Sequence, residues 1–237
     1  MANRLGGRDV GELPVRCPCC WGRKLTQTDV LWPELIRAWQ LRPYEVDYIG
    51  TQQGLVCGRC GSNLRTMTLA VAVMRGRQHL PLRVWLAMRP WVRILEINGA
   101  GALTQFLDRH LHHTLTSYPE VSMECLPFAD RSFDLVIHSD TLEHVNHPIA
   151  GLRECHRVLK PGGRVCYTVP IVVDRLTRER RGLPPSYHGV EGAAEHLVVT
   201  EYGADAWRQL FEAGFGSLAL YALGYPAGLA LTGRRSR

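Results

Sequence analysis

Three groups of residues in this chain of 237 have the types and spacing to do chemistry. Five of the eight cysteines lie before residue 61, and four of these form two C-x-x-C pairs, Cys17 with Cys20 and Cys57 with Cys60. A C-x-x-C turn points two thiolates at one ion while nearby backbone N–H groups stabilise their charge, and two such turns supply the four-sulfur tetrahedron that zinc accepts. The reading is a structural Zn2+ closed by these four sulfurs, with Cys19 as an alternative ligand. Two unrelated reduced pairs, or a redox C-x-x-C, compete with it; neither pair follows a strand in a βαβ pattern, which counts against the redox reading. The second group is ILEINGAGALTQF, residues 94–106, a strand running into a glycine turn and a helix. The usual nucleotide-cofactor loop has three glycines at alternate positions, whereas this one has Gly99 and Gly101, so a cofactor loop and an ordinary strand-to-helix turn both stand. The third group is His144 in TLEHV with His188 and His196 in PPSYHGVEGAAEHLVVTEYG. Histidine exchanges protons near neutral pH, and Glu195 is placed to orient His196. Taken singly, each of these histidines reads first as a surface or internally satisfied side chain, and His110, His112 and His113 read as solvated surface.

The elements needed to place these groups follow from hydrophobic spacing. Between the cysteine pairs, DVLWPELIRAWQ predicts a helix over 29–40 capped by Asp29. After the second pair, Leu64, Met67, Leu69, Val71 and Met74 mark another helix, and Pro81 and Pro90 interrupt the segment beyond it. From Trp91 the pattern alternates: WVRILEI as strand, LTQFLDRHL as helix, HHTLTSY as strand, FDLVIHS (133–139) as buried strand, PIAGLRECHRVL (148–159) as amphipathic helix, and RVCYTVP as strand after Pro161, Gly162 and Gly163. TEYGADAWRQLFEAGF reads as a helix capped by Thr200, and SLALYAL with GLALTG as a terminal antiparallel hairpin. Strands alternating with helices imply an α/β fold around a mostly parallel sheet. The expected division is a zinc-ribbon module with a helical insertion over 1–77, a connector over 78–90, and an α/β domain over 91–237.

Hydrophobic residues make up 46% and charged residues 21%, which supports a packed core and argues against disorder. The net charge of +6 is scattered, with small clusters at Arg178–Arg181 and Arg234–Arg237 and no basic helix or aromatic-interleaved stripe, so nucleic acid is not the first expectation. No apolar run reaches the roughly 18 residues of a membrane span, and MANRLGGRDV lacks a signal-peptide core. The uneven cysteines do not form a secreted disulfide scaffold, and a cytoplasmic protein is expected.

LEINGAG, LPFADRSFDLVIHSDTLEHV and LRECHRVLKPGGRVCYTVP, in this order and spacing, resemble the class I S-adenosylmethionine-dependent methyltransferases, particularly the type 11-like group with L-P-F-x-x-x-S-F-D and L-E-H-V signatures. The resemblance covers about residues 91–232. It implies a Rossmann-like seven-stranded sheet ending in a reversed hairpin, and S-adenosyl-L-methionine as cofactor. Glu96 then matches the acidic residue that helps hold the cofactor's methionine end, Gly99 and Gly101 allow close backbone approach, and Ser139 and Asp140 lie where the family lines the methionine and methyl-transfer region. Counted back from Leu103 and Thr104, Gly99 and Gly101 take the last two glycine positions of a loop one residue short, which leaves Asn98 as the side chain to be explained.

Two positions depart from the family pattern. The second strand normally ends in an acidic residue that binds both ribose hydroxyls; here Ser117 and Tyr118 stand there, with Glu120 slightly later. The aspartate that usually reads the adenine amino group is replaced by Ser122, with Met123 and Glu124 as neighbours. Each lost contact is worth about 0.5–1.5 kcal/mol net if neutral. No D/N-P-P-Y/F motif follows the fourth strand, which disfavours methylation of an exocyclic base amine by that route. O-methylation of a small molecule or a sugar or glycan is the first reading. Methylation of ribosomal or other RNA is second, and a non-catalytic zinc-ribbon binding protein with a degenerate methyltransferase fold is third.

Overall fold

Proline and cysteine punctuation sets the first 88 residues. The computed structural model of the chain describes residues 4, 5, 8, 9, 13–188 and 192–237. Most of MANRLGGRDV, and residues 189–191 inside the histidine-bearing segment, lie outside them. β1 (Arg4–Leu5) pairs antiparallel with β2 (Arg8–Asp9). β3 (Leu25–Gln27) pairs antiparallel with β4 (Leu55–Cys57), with Leu25 opposite Cys57, so each cysteine pair adjoins one strand of the same ribbon. α1 covers only Pro33–Ala38, not 29–40: Pro33 occupies the first helical turn, where its missing N–H is no loss, and Asp29 lies too far upstream to cap it. α2 (Pro43–Gly54) is an element that apolar spacing does not signal; it opens on Pro43, and the Glu45 carboxylate accepts from the Arg42 N–H at 2.7 Å. α3 (Leu64–Val73) starts where the Asn63 side chain accepts from the Thr66 N–H at 2.9 Å. α4 (Leu82–Ala87) fills the expected connector.

The chain divides into two compact units. One comprises residues 1–88, 101–106 and 220–230; the other comprises 89–100, 107–219 and 231–237. The second unit begins with β5 (Ile94–Ile97), all four residues buried. A 3-10 turn (Gly101–Leu103) and the four-residue α5 (Thr104–Leu107) stand where the spacing predicts a longer helix. Then come β6 (His113–Thr116), β7 (Phe133–Ser139), a 3-10 turn (Leu142–His144), α6 (Pro148–Val158) and β8 (Leu159–Thr168). α6 buries Gly151, Leu152, Cys155 and Val158, a stripe at helical spacing. β9 (Ile171–Val172), β10 (Arg178–Glu179) and β11 (Thr200–Gly203) form a small separate sheet. α7 (Arg208–Glu212), β12 (Ser217–Leu223) and β13 (Gly228–Arg234) end the chain. Thr200 is therefore a strand residue and not a helix cap, because Tyr202 and Gly203 pair with Ile171 and Val172.

The main sheet runs β12-β13-β8-β7-β5-β6, with β6, β5, β7 and β8 parallel and β13 antiparallel to β8. This is the α/β, Rossmann-like architecture with a mixed sheet, but with six strands among the described residues and not seven. Only residues 117–132 link β6 to β7, and Pro119 and Pro127 interrupt them, so the chain crosses past β5 without forming a further strand. The order reverses at β5, whose neighbours are the next two strands in the chain. Such a switch point opens a crevice at the carboxyl ends of the strands, which is where α/β sheets bind ligands.

β7 buries a histidine. His138 is fully buried and stacks on Tyr167 of β8 with ring centroids 4.6 Å apart. Neither ring nitrogen has a hydrogen-bond partner among the described residues, and burial pushes its pKa down to about 3. The unfolded chain therefore takes up this proton first. Stability is full above the unfolded value of about 6.5 and declines as the pH falls toward the folded value, by up to about 1.4 kcal/mol per pH unit. Urea unfolding of His138→Leu should show a flatter dependence than wild type between about pH 7 and pH 4; an unchanged slope would assign the effect to other groups.

Candidate functional site

Parallel register brings three chain segments to one edge of the sheet. Ile97 lies opposite both Thr116 and His138, and Ser139 lies opposite Thr168, so Asn98, Ser117 and Asp140 leave the sheet side by side. Asn98, Gly99 and Gly101 take φ values of 61°, 66° and 58°, and Asp140 takes 47°, all left-handed. Glycine adopts this region without strain, and asparagine and aspartate are the side chains that tolerate it best. Asn98 also ties two segments together, because its N–H donates to the Thr116 carbonyl at 2.8 Å and its side-chain oxygen accepts from the Tyr118 N–H at 2.8 Å. The side chain that the shortened loop left unexplained fastens the loop to the end of β6.

Glu96 acts from beneath. It is fully buried, and its carboxylate accepts from the Ala100 N–H at 2.5 Å and meets His113 Nε2 at 2.7 Å. These contacts tie the loop after β5 to the strand that precedes it and to β6. His113 is correspondingly not solvated surface: its side chain is 6% exposed, with Asp108 3.3 Å from Nδ1. His110 is also buried, with Nε2 2.7 Å from the Val92 carbonyl, while His112 is exposed as expected. Glu96→Gln should destabilise the fold by about 1.5–3 kcal/mol, the range for buried hydrogen bonds to charged groups, in denaturant unfolding. A change below about 0.5 kcal/mol would mean the carboxylate does not hold the loop.

Ser117 and Tyr118 are exposed past the end of β6. Met123 is buried against α6, 3.1 Å from where a side chain on Gly151 would begin. The Ser122 hydroxyl accepts from the Glu124 N–H at 3.2 Å, and Glu124 Oε1 accepts from the His147 N–H at 2.6 Å. The loop carrying these residues is held by Arg157 of α6, which donates to the carbonyls of Leu126 and Phe128 and pairs with Glu154 and Asp130. Glu154 also accepts from the Leu126 N–H at 2.8 Å, and the arginine beside it holds its carboxyl below the usual range. The clamp fastens the L-P-F segment to the R-V-L-K-P-G-G segment. On β7 the Ser139 hydroxyl bonds that of Thr168 at 2.8 Å, and the Asp140 N–H donates to the Thr168 carbonyl at 3.0 Å.

The structure brings two of the three candidate histidines together. His144, on the 3-10 turn after β7, and His188 meet edge to face with centroids 5.7 Å apart. Between them lies Glu143, 1% exposed, with Oε1 3.8 Å from His144 Nε2 and 3.8 Å from His188 Nδ1. Residues 197–199 join the two segments: Val199 N–H donates to the Glu143 carbonyl at 2.7 Å, and the Ser186 carbonyl accepts from Val198. His196 is outside this group; its carbonyl accepts from the His188 N–H, and Glu195 is exposed. The carboxylate beside the histidines is thus Glu143, which sequence reasoning passes over although it sits within L-E-H-V.

In the first unit the four predicted cysteines converge. Cys17 and Cys60 have sulfurs 3.7 Å apart, as do Cys20 and Cys57, and all four ligand atoms lie within 4.8 Å of one another. Sulfurs held about 2.3 Å from one tetrahedral ion stand about 3.8 Å apart, whereas a disulfide needs about 2.05 Å, so the donor set fits Zn2+. Cys19 is buried but outside the group. The Gly22 N–H donates to Cys20 Sγ at 3.3 Å, and a side chain on Gly22 would begin 2.9 Å from Cys57 Sγ, which accounts for the glycine. Neighbouring thiols and burial push Cys60 up to about 12, and burial pushes Cys20 up to about 11, so an ion bound here would have to displace the thiol protons.

Residues 85–167 match the family described as Methyltransferase domain. Malonyl-[acyl-carrier protein] O-methyltransferase of Hahella chejuensis is 30% identical over 114 residues, covering 46% of this chain and 39% of that protein. Ubiquinone/menaquinone biosynthesis C-methyltransferase UbiE of Xanthomonas oryzae is 46% identical over 69 residues, covering 28% of this chain and 27% of that protein. A solved SAM-dependent methyltransferase of Thermotoga maritima superposes with a TM-score of 0.43 at 17% identity, over 73% of this chain and 90% of that one. The chain thus spans two fifths or less of these two curated relatives. With the parallel strands β5 to β8 and the left-handed loop after β5, the family match identifies residues 85–167, about a third of the chain, as a methyltransferase domain.

Proposed function

We propose that the chain transfers a methyl group from S-adenosylmethionine to a hydroxyl of a small molecule or a sugar or glycan. The backbone of Asn98, Gly99, Ala100 and Gly101 would receive the cofactor's methionine end, with Ser139 and Asp140 beside it and Glu96 fixing the loop from below. Ser117 and Tyr118 would meet the ribose, and Ser122 and Met123 the adenine, while Glu124 holds the chain in place. When bound, the cofactor supplies a methyl group already activated by its sulfonium, so the protein's share is alignment and removal of the acceptor's proton. A Zn2+ on Cys17, Cys20, Cys57 and Cys60 would be structural, since four sulfurs leave no open position.

The relatives' names divide between an O- and a C-methyltransferase, so likeness does not choose the acceptor atom. The observation that supports oxygen is the Glu143–His144–His188 group, in which Glu143 and His144 lie on the turn just after Asp140 and His188 joins them from a separate segment. A hydroxyl must lose its proton during transfer, and this group provides basic side chains for it. Against RNA, members of both basic clusters are engaged within the fold: Arg178 and Arg180 pair with Glu201, and Arg235 donates to the carbonyls of His156, Arg157 and Leu159. Mass spectrometry across sugar, small-molecule and RNA acceptors tests the reading. An O-linked product one CH2 heavier is expected from a sugar or small molecule; product from RNA alone would overturn the acceptor class.

A further inference from the structure

The Glu143–His144–His188 group has features that a proton-transfer role leaves over. Glu143 is 1% exposed, and neither carboxylate oxygen has a hydrogen-bond partner among the described residues. A buried carboxylate without a hydrogen-bond partner is costly to leave charged, and a bound cation is one way to offset it. The two facing nitrogens, each 3.8 Å away, are too distant to donate to it.

His144 settles part of the question through its other nitrogen. Nδ1 is 2.9 Å from the Leu197 carbonyl, which only accepts, so Nδ1 carries the proton and Nε2 presents its lone pair toward Glu143. A backbone carbonyl fixing the far nitrogen is the arrangement usual for metal-ligating histidines. His188 brings Nδ1 to the same carboxylate oxygen from a separate chain segment, and the three ligand atoms lie within 4.8 Å of one another. Ligands held about 2.1–2.2 Å from a common ion stand about 3.4–3.8 Å apart, depending on the angle. The other acidic and histidine group among the described residues, Glu96, Asp108 and His113, lacks this character, because both His113 nitrogens already face carboxylates and one is hydrogen-bonded to Glu96.

We propose that Glu143, His144 and His188 bind a divalent first-row transition ion, through Oε1, Nε2 and Nδ1, at a site separate from the four cysteines. Two imidazoles and one carboxylate suit Zn2+, Co2+, Mn2+ or Fe2+ better than Mg2+ or Ca2+, which prefer all-oxygen sets. Three protein ligands leave positions open for oxygen of a hydroxylated ligand. Resting on the methyl-transfer reading, that ligand is the acceptor, whose hydroxyl the ion would orient and acidify so that its proton passes to solvent, the histidines then acting through the ion and not as free bases.

Cobalt substitution of the full chain tests the site. After chelation, Co2+ alone is added while bound metal per chain and the visible spectrum are followed. Two equivalents are expected in wild type, one with intense sulfur-to-cobalt bands and one with weaker bands of nitrogen and oxygen ligation. Glu143→Gln and His188→Ala should each lose the second equivalent and keep the sulfur bands, which also report that the variant is folded. A single, sulfur-ligated equivalent in wild type, or two equivalents surviving in both variants, would overturn the proposal. S-adenosylhomocysteine titration of the same samples separates this from the methyl-transfer reading: cofactor binding without a second cobalt ends the ion site alone, and a second cobalt without cofactor binding ends methyl transfer alone.

Discussion

Cys57→Ser should leave the four-sulfur site without its ion and lower the melting temperature to that of chelator-treated wild type. Cys57 lies both in the cluster and at the end of β4, opposite Leu25, so losing its sulfur releases the strand pair as well as the metal. Structural zinc contributes about 10–16 kcal/mol of apparent binding free energy in isolated zinc-finger peptides, where binding and folding are one event. Here α3 supplies its own buried face, with Leu64, Met67, Leu69 and Val73 inaccessible, so part of the unit is held independently and the loss should be smaller. Cys19→Ser is the control, since Cys19 is buried outside the group; it should keep the sulfur-bound ion. Sulfur–cobalt bands in Cys57→Ser equal to wild type, or their loss in Cys19→Ser, would reassign the ligands.

The second large effect is expected at Gly99. Its φ of 66° is left-handed, between Asn98 in the same region and Ala100, whose N–H is tied to Glu96. Valine there is strained by about 1–3 kcal/mol and carries branched carbons into the turn. Gly99→Val should weaken S-adenosylmethionine binding at least about tenfold, which corresponds to about 1.4 kcal/mol. Thermal stability separates the causes: a fall in affinity with a modest fall in melting temperature places Gly99 against the cofactor, whereas unchanged affinity would remove the loop from the site.

How much the sequence discloses depends on how local the determinants are. β7 and α6 are legible to within a residue, because a continuous apolar run and an amphipathic stripe each announce one element. The four-cysteine cluster is legible for the same reason, since each pair is complete within four residues. α2 escapes because its inward side is polar: Glu45, Tyr48 and Gln52 are buried, Gln52 donating to the Ala227 carbonyl at 2.8 Å, so no apolar stripe betrays it. Thr200–Gly203 looks like a helix start by composition, but pairing with β9 and β10, distant in the chain, makes it a strand. The seventh strand implied by resemblance is absent among the described residues because the segment after β6 is spent on the Arg157-clamped loop. Glu143 is hidden from a local reading since its burial depends on residues 197–199 folding back over the turn, a contact that no short pattern encodes.

The crevice at the ends of β5, β6 and β7 is expected to bind S-adenosylmethionine. Calorimetric titration of zinc-replete protein with S-adenosylhomocysteine tests it most directly, because the product occupies the same site without reacting. Saturable binding of one molecule per chain, weakened by Gly99→Val, is the predicted result; a titration with no binding heat, confirmed by equilibrium dialysis, would contradict it.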